Sequence, residues 1–140
     1  MKDAVICAVR RQLVSDVPLG CFLSGGIDSS VIALAMKKAV GDQAVLTFSI
    51  GFDDPRYDET KFAAEVARYL GTQHRQFVVQ PDAAADLPAL ARVFGEPFAD
   101  SSALPTHYLS RETRQDVKVA LSGDGGMNYS GDTIGIVRCA

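Results

Sequence analysis

The sequence predicts an α/β fold, a doubly wound parallel sheet with helices on both faces. Short apolar runs alternate with segments of helical periodicity from residue 3 to residue 121. Right-handed crossovers of this kind place the strands in one parallel sheet. Two glycine-rich loops, at residues 24–30 and 122–126, follow the first and the last of these runs. Ligands bind beyond the carboxyl ends of such strands, so both loops face one ligand if strands one and four are neighbours. The interpretation of the two loops as one site therefore requires strand one beside strand four.

The first part of the chain predicts a helix, a strand and a second helix. Residues 3–14 place apolar side chains at helical spacing, with arginines between them, which indicates an amphipathic helix. The apolar run from Leu19 to Leu23 ends at two glycines, as a buried strand does. Val31 to Val40 returns to a helical pattern, and Gly41 is typical of the residue that closes a helix.

A second strand and a third helix follow. Ala44 to Ile50 is apolar and β-prone, and an acidic loop comes after it. That acidity is typical of a metal site or of a solvated loop, and the second interpretation places a helix cap at Asp58. Glu59 to Leu70 carries an apolar helical face and ends at Gly71.

The next alternation gives a third strand and a fourth helix. His74 to Val79 is predicted as the third strand, and His74 at its start is predicted as a surface residue rather than a general base. Asp82 to Phe94 is alanine-rich and predicts a partly exposed helix. Pro88 falls in its early turns, where it can bend the helix or delay its start.

The last predicted helix, Thr106 to Arg114, follows a loop, residues 95–105, in which Asp100, Ser101 and Ser102 are candidate helix caps. His107 falls on this helix and is predicted as structural. Val117 to Leu121 is the fourth strand, an apolar run with turn residues after it.

Composition limits the classes of function. A chain of 140 residues with 47% hydrophobic residues can form one domain with a core. A net charge of −3 argues against a nucleic-acid partner. No apolar run approaches the roughly 20 residues of a membrane span, and no signal peptide opens the chain. Three cysteines without paired spacing predict buried free thiols in a reducing cytoplasm.

The first glycine-rich loop has the features of an anion site. Its glycines allow close approach of the backbone, and its position opens a helix whose free amides and dipole favour a phosphate. Asp28 fits such a site if Mg²⁺ joins its carboxylate to phosphate oxygens. The alternative is a plain strand-to-helix turn with a side-chain cap. The predicted binding residues here are Leu23, Ser24, Gly25, Gly26, Asp28, Ser29 and Ser30, with Asp28 as the metal ligand.

This loop, Ser-Gly-Gly-Ile-Asp-Ser-Ser, resembles the pyrophosphate loop of ATP pyrophosphatases of the adenine-nucleotide α-hydrolase (HUP) type. Segments 17–20, 48–52, 97–102 and 121–126 resemble the synthetase domain of glutamine-hydrolysing asparagine synthetases. The resemblance runs from residue 8 to residue 126, and it implies an incomplete adenine-nucleotide α-hydrolase-like domain over residues 1–126.

In that family the site binds ATP with Mg²⁺. The resemblance implies that Ile50 and Gly51, beside Ser49, meet the adenine through backbone atoms. It places Ser122 and Gly123 in the second nucleotide-binding loop. It also places the loop of residues 95–105 near the nucleotide and the acyl acceptor, where Asp100 is either a site residue or a helix cap. Asp124 occupies the position of the catalytic acidic residue, which deprotonates ammonium or orients the amine.

The family activates the β-carboxylate of aspartate as β-aspartyl-AMP, releases pyrophosphate, and lets ammonia derived from glutamine displace AMP. The family's glutaminase nucleophile, an amino-terminal cysteine, is absent because Lys2 follows Met1. Two alternatives stay open: an amide-forming relative with another acceptor, such as a β-lactam synthetase, or a non-catalytic nucleotide-binding remnant. We expect little or no turnover from these 140 residues, and we expect self-association through exposed apolar surface.

Residues 127–140 depart from the family pattern, which continues Asp-Glu-Leu-Phe-Gly-Gly-Tyr. Met127 and Asn128 stand where two acidic residues would be, and a thioether is a poor ligand for Mg²⁺. Codons for Met127 to Gly135, read one base earlier, permit the family pattern. Our hypothesis is that a single-base loss near codon 126 put this tail out of frame, which the gene's DNA sequence would test.

Overall fold

A computed structural model describes residues 2–53, 59–94, 102–123 and 135–138. Each predicted helix and strand is found, with ends that differ by up to four residues from the prediction. The elements are, in chain order, α1 (Lys2–Gln12), β1 (Leu19–Phe22), α2 (Ile27–Val40), β2 (Leu46–Phe52), α3 (Thr60–Leu70), β3 (Gln73–Val79), α4 (Ala83–Phe94), α5 (Ala103–Thr113), β4 (Val119–Ser122) and β5 (Gly135–Arg138).

Four parallel strands form the body of the sheet, whose order is β3-β2-β1-β4-β5. The chain moves outward from β1 to β3 and then returns to place β4 on the other side of β1. Leu19 pairs with Val119 and Cys21 with Leu121, which confirms the predicted pairing of strand one with strand four. The strand order therefore reverses between β1 and β4, where open α/β sheets bind ligands.

The fifth strand was not predicted. β5 pairs antiparallel with β4, with Leu121 opposite Ile136, so the sheet is mixed rather than purely parallel. Its sequence, Gly-Ile-Val-Arg, contains two β-branched residues that favour a strand. In this position β5 occupies the edge of β4 that would otherwise present unpaired backbone groups.

The core lies on both faces of the sheet. On one face the buried side chains of α1, α2 and α3 pack with Cys21 and Leu121 of the strands. On the other face Phe22 and Phe48 pack with Leu109 of α5. Cys21 and Phe22 point to opposite faces because successive side chains of a strand alternate. This two-sided burial is what a doubly wound sheet requires.

The cysteine prediction is half wrong. Cys21 is buried, and burial raises the pKa of its thiol to about 12. Cys7 is exposed, because it lies on the face of α1 that turns away from the buried Val9. Cys139 lies outside the described residues.

Helix ends follow local chemistry. Gly41 and Gly71 close α2 and α3 with φ of 65°, as predicted. Helix α2 begins earlier than the apolar pattern suggested, because its first turn is polar on the side of the loop. Helix α4 runs through Pro88 and is not delayed by it. The predicted cap at Asp58 lies outside the described residues.

In the described part of the chain, no helix has the length and apolar character needed to span a membrane.

Candidate functional site

A cavity of about 500 Å³ opens at the carboxyl ends of β1, β2 and β4. The start of α2 forms its floor and α5 forms the facing wall. Its size is typical of small-molecule sites. The described residues that line it are Phe22, Leu23, Ser24, Gly26, Ile27, Asp28, Ser29, Ser49, Ile50, Phe52, Glu59, Ser102, Pro105, Thr106, Leu109, Ser122 and Gly123.

The loop after β1 is held against α3 by a glycine. Gly25 has φ of +83°, and a Cβ added to it would lie 2.5 Å from the Cβ of Phe62 and 2.7 Å from the nitrogen of Ala63. Glycine therefore meets two needs at once, because it tolerates the left-handed backbone and leaves room for the helix. This close contact holds the loop against α3.

The loop's hydroxyl groups bond mainly to the loop itself. The Oγ atoms of Ser24 and Ser29 are 3.0 Å apart, and Ser24 Oγ accepts the amide of Gly26 at 3.2 Å. Ser29 and Ser30 both donate to the carbonyl oxygen of Gly26. These bonds shape the loop before any ligand arrives.

The amides at the start of α2 are the groups best placed to meet an anion. The amide of Ser30 makes the first helical bond, to Gly26 at 3.1 Å, so the amides of residues 27–29 precede the helical ladder. Gly26 is the N-cap residue and has no side chain to cap them. With the positive end of the helix dipole, these groups can bind a phosphate.

The loop after β4 touches this same helix start. A Cβ added to Gly123 would lie 2.7 Å from the nitrogen of Ser29 and 3.0 Å from the carbonyl carbon of Asp28. Ser122, next to it, is buried and lines the cavity. Gly123, the described residue of the second loop after β4, therefore lies against the helix start that follows the first loop, as expected when strands one and four are neighbours.

The structure brings most of the predicted site residues together. Eight of them line the cavity: Leu23, Ser24, Gly26, Asp28, Ser29, Ile50, Ser122 and Gly123. Three others are close but are not part of its lining. Gly25 packs against α3, the hydroxyl group of Ser30 donates to the carbonyl oxygen of Gly26, and Gly51 is buried in β2. Asp124 and Asp100 lie outside the described residues.

The wall made by α5 was predicted only in part. Ser102 and Pro105 lie in the loop that the resemblance placed near the nucleotide, whereas Thr106 and Leu109 were not predicted as site residues. Ser102, Pro105, Thr106 and Leu109 line the cavity at spacings of three, four and seven residues. These spacings belong to one helical face, which is the signal that could have found them. The predicted start at Thr106 hid the pattern, because α5 begins at Ala103 with Pro105 in its first turn, where proline is tolerated.

Only two of the lining residues are charged, and both are acidic. Asp28 lies at the first turn of α2, and Glu59 is the N-cap residue of α3 without a side-chain cap bond. No lysine or arginine is among the described lining residues. Within the described ranges, no group of three or more histidine, cysteine or acidic side chains could hold a metal.

His74 is not the surface residue that was predicted. It lies half-buried on β3, with Nδ1 3.0 Å from Thr47 Oγ1 and Nε2 3.1 Å from Ser49 Oγ. Burial lowers the pKa of His74, and a main-chain hydrogen bond to Thr47 partly opposes this. The prediction failed because β2 carries hydroxyl side chains on the face that meets His74.

Solved structures of low sequence identity share this fold. An NMN synthetase from Francisella tularensis matches with a TM-score of 0.56 at 18% identity, over 85% of this chain and 51% of that one. An ammonia-dependent NAD synthetase from Campylobacter jejuni matches with a TM-score of 0.50 at 14% identity, over 86% and 53%. These matches show a shared fold, and they agree with the doubly wound α/β sheet that was predicted.

Sequence comparison finds closer relatives. The glutamine-hydrolyzing asparagine synthetase 1 of Bacillus subtilis is 38% identical over 126 residues, which are 89% of this chain and 20% of that protein. Asparagine synthetase B of Escherichia coli is 34% identical, over 89% of this chain and 25% of that protein. The chain thus spans a fifth to a quarter of the length of these relatives. The asparagine synthase family model matches residues 1–127, and the chain belongs to that family.

Proposed function

We propose that the cavity binds ATP and that the chain is the ATP-binding part of an asparagine synthetase, which converts aspartate to asparagine. The observation that carries this proposal is the contact of Gly123 with Ser29, which joins both glycine-rich loops at the start of α2. A helix start with open amides, flanked by two close backbone loops, suits the phosphates of a nucleotide.

The rest of the cavity suits the nucleoside. Phe22, Ile50 and Phe52 give the end of β2 and its surroundings an apolar character, which favours a purine ring. Backbone atoms of Ile50 and its neighbours Ser49 and Gly51 would contact the adenine. The family membership and the adenine-nucleotide fold support this placement.

The residues present fit Mg²⁺. ATP brings several negative charges into a cavity whose described lining residues include no basic side chain. Asp28 offers a carboxylate at the first turn of α2, and one carboxylate with phosphate oxygens is a ligand set that Mg²⁺ uses. When bound, the ion would neutralise phosphate charge.

In the proposed reaction, the β-carboxylate of aspartate attacks the α-phosphorus of ATP, which gives β-aspartyl-AMP and pyrophosphate. Ammonia then attacks the acyl carbon and AMP leaves. The amides at the start of α2 would stabilise the charge that develops on the phosphate oxygens. Asp124, in the second loop, would take a proton from ammonium or orient the amine.

Nucleotide binding tests the site. We expect wild-type protein to bind ATP more tightly when Mg²⁺ is present, and Asp28→Asn to lose most of that Mg²⁺ dependence. Asp42→Asn, in the turn after α2, is the matched control and should bind as wild type does. Calorimetric titration with and without Mg²⁺ measures both. If wild type and Asp28→Asn respond equally to Mg²⁺, the assignment of Asp28 is wrong; absence of ATP binding refutes the site.

Pyrophosphate release tests the chemistry. With Mg²⁺, ATP, aspartate and ammonium, we expect little or no release from these 140 residues, which match only a fifth to a quarter of their relatives' length. ATP binding without turnover would support a nucleotide-binding role for this chain alone. Clear aspartate-dependent turnover would show that these residues suffice for the adenylation.

A further inference from the structure

A chain of hydroxyl groups and one imidazole runs from the cavity wall to the end of α3. Ser49 is buried in β2 and lines the cavity. Its Oγ lies 3.1 Å from Nε2 of His74, whose Nδ1 lies 3.0 Å from Thr47 Oγ1. Thr47 Oγ1 in turn lies 2.9 Å from Thr72 Oγ1. Each of these groups can donate or accept, so the direction of the bonds has to be derived.

The direction of these hydrogen bonds follows from the last group in the row, the hydroxyl group of Thr72. Thr72 Oγ1 lies 3.4 Å from the carbonyl oxygen of Ala67, which can only accept a hydrogen bond. The hydroxyl proton of Thr72 is therefore directed to Ala67. Thr47 then donates to Thr72 Oγ1. Ala67 lies in the last turn of α3, where carbonyl groups carry the negative end of the helix dipole, which favours protons that point toward it.

The same logic fixes the tautomer of His74. Because the proton of Thr47 is used, Thr47 Oγ1 accepts from Nδ1–H of the ring. A neutral imidazole carries one N–H, so its Nε2 is an acceptor, and Ser49 donates its hydroxyl proton to it. Burial, which lowers the pKa of His74, keeps the ring neutral at pH 7.

The hydroxyl group of Ser49 is consequently oriented by His74. Its proton is committed to His74, and its oxygen retains lone pairs for a ligand. An oxygen in this state repels phosphate oxygens and accepts from an N–H or O–H group. We propose that Ser49 accepts a hydrogen bond from a donor of the bound nucleotide, a ribose hydroxyl or the exocyclic amino group, and that His74 is the positioning residue that fixes this polarity.

The inference rests on the proposed function, because it deepens the description of the ATP site. Its first test does not need a nucleotide. Ring-nitrogen chemical shifts of His74 at about pH 7.5, above the ordinary imidazole pKa, report which nitrogen carries the proton. We expect a proton on Nδ1 and none on Nε2. A proton on Nε2 would reverse the hydrogen-bond chain and overturn the proposal.

The second test identifies the donor. Affinities are measured for ATP, 2′-deoxy-ATP, 3′-deoxy-ATP and the 6-deamino analogue, purine riboside triphosphate. We expect one analogue to bind wild type about fivefold more weakly than ATP, the usual worth of one hydrogen bond. That analogue and ATP should bind Ser49→Ala equally. His74→Gln should reduce the discrimination, whereas His107→Gln, at the other histidine, should retain it.

These experiments distinguish failure of the proposed function from failure of the inference about Ser49. If wild type does not bind ATP, the proposed function fails and this inference fails with it. If wild type binds ATP and Ser49→Ala discriminates among the analogues as wild type does, the inference alone is wrong. Should Ser49→Ala not fold, the analogue series on wild type still decides, because equal affinity for all four nucleotides contradicts a donor bound at Ser49.

Discussion

Gly123 is the residue at which the two loops of the site touch, and its lack of a side chain makes the contact possible. In Gly123→Ala the new methyl group would meet backbone atoms of Ser29 and Asp28, which cannot move without displacing the start of α2. We expect a loss of about 1–3 kcal/mol in the free energy of unfolding and weaker ATP binding. Urea unfolding and calorimetric titration measure the two effects.

Gly71→Ala is the matched control for this substitution. Its Cβ would meet nothing within 4 Å, so only the cost of its φ of +65° remains. That cost is about 1 kcal/mol, and it should leave ATP affinity unchanged. If Gly123→Ala keeps the wild-type affinity for ATP, the two loops do not act as one site.

His74 couples folding to pH. Its pKa is lowered from 6.5 in the folded protein, so the unfolded chain binds the proton more readily. The stability contributed by the neutral ring is fully present above pH 6.5. It is lost as the pH falls toward the lower pKa that the ring has in the folded protein. Between about pH 7 and 5, we expect the stability of wild type to fall more steeply than that of His74→Gln. Equal slopes for wild type and His74→Gln would contradict the prediction.

At the scale of elements, Tyr108 holds α4 against α5. Its hydroxyl donates to the carboxylate of Asp86 and accepts the amide of Asp82 at 3.1 Å, just before α4 begins. Burial is the main reason that its pKa is raised, so the hydroxyl remains a donor at neutral pH. Leu90 of α4 is buried, so apolar packing acts beside these hydrogen bonds.

Removal of the hydroxyl should therefore loosen α4. We expect Tyr108→Phe to lower the free energy of unfolding by about 1–3 kcal/mol, because it leaves two polar groups without their partner. Tyr69→Phe, at a tyrosine that is 89% exposed, is the control and should change little. Urea unfolding gives the stability, and amide exchange should show faster opening in α4. Equal stability of the two variants would contradict this role.

Elements were predictable where the local pattern and the packing agree. Apolar periodicity found α1 and α3, and the glycines after α2 and α3 marked their ends. The start of α2 could not be read from apolar spacing, because its first turn faces the site and is polar. The contact of His74 with Ser49 depends on the register between β2 and β3, which no local pattern contains.

The candidate site was predictable in its loops and only partly in its wall. Its first loop has the composition of an anion site, with glycines and hydroxyl residues between a strand and a helix, although a plain turn has the same composition. The wall on α5 came from a distant segment, and only the folded sheet shows that Thr106 and Ser24 line the same cavity. The origin of the tail after residue 126 stays a prediction.

At the scale of the whole molecule, exposed apolar surface favours self-association. β3 forms one edge of the sheet, and Val78 on it is 62% exposed. Unpaired edges of this kind can pair with a second chain. We expect the sedimentation coefficient to rise with concentration, and Val78→Lys to reduce that rise. Leu87→Lys, on exposed α4, adds the same charge away from the edge and should not. A sharp monomer boundary at all concentrations would contradict the prediction.

The pairing of β1 with β4 has a consequence for folding kinetics. Leu19 and Val119 are 100 positions apart in the sequence, so this pairing closes nearly the whole chain. Closure of so long a loop costs entropy before its contacts repay it, and such pairings form slowly. During synthesis the first loop can form early, but it meets Gly123 only after β4 has left the ribosome. The cavity therefore forms only after the first three strands and the helices between them have been synthesised.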